Sequence, residues 1–200
     1  MRYVFSVFLS AAVLVATTAA ATPSVGEPAP SFSTTDSTGK TVALGDFAGK
    51  YVVLEWTNDG CPFVQKHYSS GNMQALQKDT TDDGAVWLSV ISSAPGKQGH
   101  VDGAGADALT RSRDAHPTHV LLDENGDVGR LYGAKTTPHM FIVDPKGTLV
   151  YAGDIDSIPS ADPADIPKAK PYVKLALAEA MAGKPVSEAV TKPYGCSVKY

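Results

Sequence analysis

Four short runs of this chain are almost wholly apolar and rich in β-branched or aromatic residues: YVVLEWT (51–57), AVWLSVI (85–91), THVLLD (118–123) and HMFIVD (139–144). Runs this continuous and this short fit strands buried on both faces, as in a largely parallel sheet covered by helices. The intervening segments have helical character. One runs from about Pro62 to Lys78, with Ser69-Ser70-Gly71 as a break; another from about Asp102 to Asp114; a short one passes through Val128, Leu131 and Tyr132. The turn Asp144-Pro145-Lys146-Gly147 joins the fourth run to GTLVYAG (147–153) as an antiparallel hairpin. PYVKLALAEAMAG (171–183) predicts a C-terminal helix, with Pro171 in its first turn and Gly183 to cap it. Val42-Ala43-Leu44 suits a short edge strand, and residues 22–40 read as an extended lead-in. The order predicts an α/β fold with a mixed central sheet and helices on both faces.

The first 21 residues have one basic residue, Arg2, then an apolar stretch from Tyr3 to Ala16, then Ala19-Ala20-Ala21. This is the layout of a cleaved secretory signal peptide. As a membrane anchor the apolar run falls short of the ~20 residues a bilayer span needs. The expected organisation is a leader over 1–21, a domain over 22–183 and a tail over 184–200. The expected location is secreted, in a periplasm, with no membrane association after cleavage. The formal charge is −4, and losing Arg2 takes it to −5 (−4 − 1), with no basic run left to bind nucleic acid. An oxidising compartment permits disulfides, and two cysteines, Cys61 and Cys196, allow only one pairing.

Cys61 stands directly before Pro62 where a strand gives way to a helix. A thiol there meets unpaired N–H groups and the positive end of the helix dipole, both of which favour thiolate. Pro62 fits the first helical position because its missing N–H loses no bond. Lys66 and His67, one turn on, are placed to add positive charge. Polar residues lead into the thiol and predict that it reaches solvent. The alternative is a structural, buried cysteine. Pro138 heads a strand, where it cannot donate to a ladder, so it belongs at an edge or in a special turn.

Together, LEWTNDGCPFV (54–64) and YGAKTTPHMFIVDPKGTLVYAG (132–153) resemble the thioredoxin-like superfamily. The closer likeness is to its redoxin branch, the alkyl hydroperoxide reductase/thiol-specific antioxidant (AhpC/TSA-like) group with the secreted thiol-disulfide proteins. The lead-in GEPAPSFSTTDSTGKTVALGDFAGKYVVLEW (26–56) is similar to that branch's opening. The resemblance implies a thioredoxin-like fold, Cys61 as the attacking thiol and Pro138 as a cis-proline beside it. In that frame Thr137 and Pro138 orient the substrate, Pro62 holds the thiolate, and Trp56 and His139 line the groove. The implied substrate is a thiol/disulfide protein or a hydroperoxide. Electrons come from an external reductase, because no flavin or nicotinamide site is visible and no cofactor is expected.

The chain also departs from that pattern. The position three residues after Cys61, where a resolving cysteine usually stands, is Val64. Peroxiredoxins resemble P-x-x-x-T-x-x-C, and here the proline and threonine positions hold Leu54 and Asn58. Their arginine position aligns with Pro138. Cys196 is the available resolving thiol, on a tail long enough to return and made mobile by Gly195; a static disulfide or an interchain bridge are the alternatives. A copper- or zinc-binding module using Cys61, His67, Met73, His139 and Cys196 is the second class of function, although Gln65 replaces the second cysteine of copper-delivery relatives. DENGDVGRLYGA (123–134) lacks the glycine and glutamate of a calcium loop, and GAGADA (103–108) does not follow a strand as a dinucleotide turn must.

Overall fold

The computed structural model describes residues 22–200, so the expected leader lies outside the described residues. Along the chain, β1 (Ser33–Asp36) and β2 (Thr41–Ala43) form a hairpin, and β3 (Val52–Trp56) leads to α1 (Pro62–Ser69) and α2 (Asn72–Asp82). Next come β4 (Val86–Ile91), α3 (Gly103–Ser112), β5 (His119–Leu122), α4 (Asp127–Tyr132) and the two-residue β6 (Thr136–Thr137). The hairpin β7 (His139–Val143) and β8 (Leu149–Gly153) precedes α5 (Tyr172–Met181), and β9 (Cys196–Ser197) lies in the tail. The main sheet has the order β2-β1-β5-β4-β3-β7-β8, and β6 and β9 make a separate pair. β3, β4 and β5 run parallel, while β1, β7 and β8 run against their neighbours. The predicted mixed α/β sheet is therefore the observed one.

The apolar runs become strands because both sides of the sheet are covered. On one face Leu54, Trp56, Leu88, Val90, Leu121 and Phe141 pack with Val128 and Tyr132 of α4. On the other, Val53, Trp87, Met140 and Ile142 pack with Cys61 and Val64 at α1, Met73 on α2, and Val173 and Leu177 on α5. All five residues of β3 are buried, Glu55 among them. A charged residue survives there because its carboxylate accepts hydrogen bonds from Tyr68 Oη, Gln77 Nε2, Trp87 Nε1 and Ser89 Oγ at 2.8–3.1 Å.

Three local readings change. Residues 33–36 are a strand rather than plain lead-in, since β1 pairs with β5 and Asp36 closes the turn by accepting from the Thr38 and Lys40 N–H groups. The break inside the first helical stretch is sharper than expected: Gly71, at φ 76°, separates α1 from α2. The tail is not a mobile arm. It runs back beside β8, where Ala152 N–H bonds to Ala189 O at 3.0 Å, then across the end of the sheet to the segment just after α4, where Tyr200 Oη donates to Ala134 O at 2.8 Å.

Candidate active site

Cys61 is the N-cap residue of α1, and its carbonyl accepts the first helical bonds, from Val64 N at 3.0 Å and Gln65 N at 2.9 Å. The loop before it is braced from residue 98. Asn58 Oδ1 accepts from Gly60 N, Asn58 Nδ2 donates to Gln98 O, and Gln98 Nε2 donates to Gly60 O, all at 2.9–3.0 Å. A Cβ on Gly60 would lie 2.7 Å from Gln98 Nε2, so the Gln98 side chain packs directly against this glycine.

The Thr137–Pro138 bond is cis. The Cys61 thiol donates to the Thr137 carbonyl at 3.0 Å. β9 lies antiparallel against β6 with Thr137 opposite Cys196, and Val198 N–H donates to Lys135 O at 3.1 Å. This register brings both sulfurs together: the Cys61 thiol interacts with both the thiol and the main-chain N–H of Cys196. Both cysteines are free thiols.

The two thiols sit in opposed electrostatic environments. Burial by itself raises the Cys61 pKa, but the Cys196 thiol, the Thr137 side chain and the N–H groups of Cys196 and Val64 favour its thiolate. The net result is below the ordinary thiol value. The Thr137 hydroxyl is buried without a hydrogen-bond partner, so it is free to turn to this sulfur. Cys196 is pushed up to about 11, first by burial and then by the neighbouring Cys61 sulfur.

Residues 25–152 of the chain match the model of the AhpC/TSA family. The chain belongs to the AhpC/TSA family. No curated protein matches it in sequence. Among solved structures, a conserved protein from Geobacillus kaustophilus is 25% identical, with a TM-score of 0.77 over 88% of this chain and 92% of that one. A hypothetical protein from Sinorhizobium meliloti is 21% identical, with a TM-score of 0.74 over 88% and 94%. The thioredoxin domain of a thiol-disulfide oxidoreductase from Bacteroides vulgatus is 23% identical, with a TM-score of 0.51 over 64% and 87%. The fold of this AhpC/TSA member is thioredoxin-like.

Several expected neighbours of the thiol are elsewhere. Trp56 does not line a groove: it is fully buried, with Nε1 bonded to Ser92 Oγ at 3.0 Å and its ring against Tyr132 and Phe141. His139 sits opposite Trp56 in the sheet and stacks on Phe141 at 4.4 Å, on the face away from Cys61. Burial, with Lys135 nearby, lowers its pKa to about 3, so it stays neutral. Lys66 and His67 add no charge to the thiol. Lys66 is enclosed and paired with Asp156 at 2.9 Å, and His67 is driven by burial to about 4. Among the described residues no group of three His, Cys, Asp or Glu side chains is placed to hold a metal, so neither His67 nor His139 joins the two cysteines in such a group. The thiol itself was expected to reach solvent, yet Cys61 has 0% exposure because β9 lies over it.

Two tail residues that local sequence reasoning missed, Tyr194 and Thr191, complete the site together with Gly195, whose role changes. Tyr194 N–H and Oη donate at 2.6 Å to Asp154 Oδ1 and Asp156 Oδ1 respectively, Lys66 Nζ reaches Oη at 3.3 Å, and Phe63 packs edge-on at 5.7 Å. Thr191 Oγ1 accepts from Asp154 N–H at 2.8 Å. Gly195 has φ 137°, and a Cβ there would meet the Thr137 carbonyl oxygen at 2.1 Å. Gly195 thus marks contact rather than mobility. The only local signal was glycine directly before the second cysteine.

Two measurements follow from this anchoring. Gly195→Ala must push the tail off Thr137 by about 1 Å, so formation of a Cys61–Cys196 bond should slow by about 10²-fold, read by quenched-flow alkylation. Asp154 is raised by burial from 3.8 to about 7, with Asp156 adding to the effect and Lys66 and the Tyr194 N–H opposing it. The folded chain therefore holds this proton more tightly than the unfolded chain. Its contribution is complete below pH 3.8 and is lost as pH rises through about 7. The Tm of Asp154→Asn should fall less than that of the parent between those limits.

Proposed function

We propose that this AhpC/TSA member is a thiol-disulfide oxidoreductase working through a reversible intrachain disulfide between Cys61 and Cys196. The observation that carries the reading is the β6–β9 register, which sets Cys196 against Thr137 and its sulfur against that of Cys61. Cys61 is the nucleophile within the pair, because its surroundings favour the thiolate; Cys196 is its disulfide partner. Thr137 and Pro138 position the tail or an incoming chain, and Pro62 starts the helix whose Val64 N–H favours the thiolate. Thiol proteins are the substrates, and a separate reductase supplies electrons. The apolar N-terminal stretch supports a secreted or periplasmic location, where such a bond persists.

Disulfide exchange is favoured over peroxide reduction by the contents of the peroxide-polarising positions. Leu54 is buried in the core, and the side chain of Asn58 is engaged with Gly60 and Gln98. The test is intact mass of the chain before and after dithiothreitol and after a disulfide oxidant. The expected result is a loss of about 2 Da on oxidation that requires both cysteines and reverses with dithiothreitol. Inert thiols, or a bond that dithiothreitol cannot open, would remove the proposal.

A further inference from the structure

Cys61 and Cys196 differ in which of them the outside can touch. Cys61 has no accessible surface and lies beneath the tail, with Val64 and Met140 in the same apolar cluster. Cys196 is partly exposed, at the outer strand of the β6–β9 pair. The strand is fastened on both sides. Before Cys196, Tyr194 is bonded to Asp154 and Asp156, and Gly195 sits on the Thr137 carbonyl. After it, Val198 N–H bonds to Lys135 O and Ala94 N–H to Lys199 O at 2.9 Å. Burial of Cys61 and seating of the tail are one arrangement, since the same strand accomplishes both.

We propose that external thiols exchange at Cys196, on the seated tail, while Cys61 opens and closes the bond to it from inside. This rests on the reversible Cys61–Cys196 disulfide described above. In the reducing direction, a thiolate of a protein dithiol attacks the Cys196 sulfur. A bond forms between the two sulfurs, the Cys61–Cys196 bond breaks, and its electron pair leaves on Cys61 as thiolate. The second thiol of the partner, as thiolate, then attacks the partner's own sulfur in the mixed disulfide. Cys196 departs and takes a proton, so the partner ends as a disulfide and the chain as a dithiol. In the oxidising direction Cys196, on losing its proton, first attacks a sulfur of the partner's disulfide and expels the partner's other sulfur as thiolate. Cys61 thiolate then attacks the Cys196 sulfur and expels the partner's first thiolate, leaving the partner a dithiol and the chain a disulfide.

The chemistry of the leaving group points the same way as access. A disulfide breaks faster toward the sulfur with the lower thiol pKa. Cys61 is held below the ordinary value and Cys196 is raised to about 11. Attack at Cys196 expels the better leaving group, whereas attack at Cys61 would expel the worse one and would first require the tail to lift. The roles differ from the simplest expectation for a helix-capping thiol: Cys61 is ionised yet serves an internal partner.

The experiment uses the full chain, oxidised by a small disulfide and then mixed with a stoichiometric cysteine-containing peptide. Samples are quenched in acid at early times and digested with trypsin, which separates the fragment 51–66, bearing Cys61, from 175–199, bearing Cys196. The expected result is adduct on the Cys196 fragment in about tenfold excess over Cys61 at the earliest times. The Gly195→Ala chain, with its tail unseated, should shift adduct toward Cys61. Adduct mainly on Cys61 in the parent chain, with an intrachain bond demonstrably present beforehand, overturns this proposal and leaves the exchange function standing. Absence of any Cys61–Cys196 link after oxidation overturns both.

Discussion

A chain carrying Cys61→Ser is expected to lose thiol-disulfide exchange altogether while keeping its fold. A serine hydroxyl is not ionised near neutral pH, so the N–H groups of Val64 and Cys196 and the Thr137 hydroxyl have no thiolate to stabilise. The hydroxyl still fits the position, because it can donate to the Thr137 carbonyl that the thiol now reaches at 3.0 Å. The change in stability should stay within about 1–2 kcal/mol. Exchange is measured as reduction of a dithiol peptide disulfide with a regenerating thiol, and folding by thermal melting of the same sample. Activity surviving in Cys61→Ser would place the chemistry elsewhere. A melt shifted far beyond that range would mark the cysteine as structural.

Replacing Lys66 with alanine should be the most damaging single change away from the cysteines. Its ammonium is enclosed, with Asp156 Oδ2 at 2.9 Å, Ile158 O at 3.1 Å and Tyr194 Oη at 3.3 Å. Removing one partner of a buried ion pair leaves the other charge desolvated and unpaired, which costs about 3–5 kcal/mol. For a chain of this size that corresponds to a fall in Tm of roughly 6–20 °C. Asp156 also accepts from Tyr194 Oη, so the tail should loosen and Cys61 should become more reactive toward bulky alkylating reagents. Lys66→Met/Asp156→Asn, which removes both charges, should recover part of the lost stability. If Lys66→Ala stays within about 1 kcal/mol of the parent's stability, the pair does not anchor the tail.

These two changes differ in how visible they were in the chain itself. Cys61 could be picked out from its immediate neighbours, since a strand-length apolar run, a polar loop and a proline at the first helical position all lie within the same short segment. Lys66 gave the wrong impression. Proximity in sequence suggested help for the thiol, but successive residues on a helix point in different directions, and its partner Asp156 lies 90 residues further on. Trp56 and His139 misled in a related way. Both flank the site in sequence, yet strand alternation turns them to the face opposite Cys61, and a strand's sequence does not state which of its two faces will receive which layer.

What the sequence determined unaided was the buried strands, the β7–β8 hairpin and the C-terminal helix, the mixed α/β architecture and the helix-capping position of one thiol. Hydrophobic period, turn residues and a helix start are all written within a few neighbouring positions. Only the tertiary structure decided that the tail is seated, that Gly195 is there for contact, that Cys61 is enclosed and that Cys196 is its neighbour. Each of those facts depends on surfaces brought together from distant parts of the chain, and burial is a property of what lies on top of a residue rather than of the residues beside it.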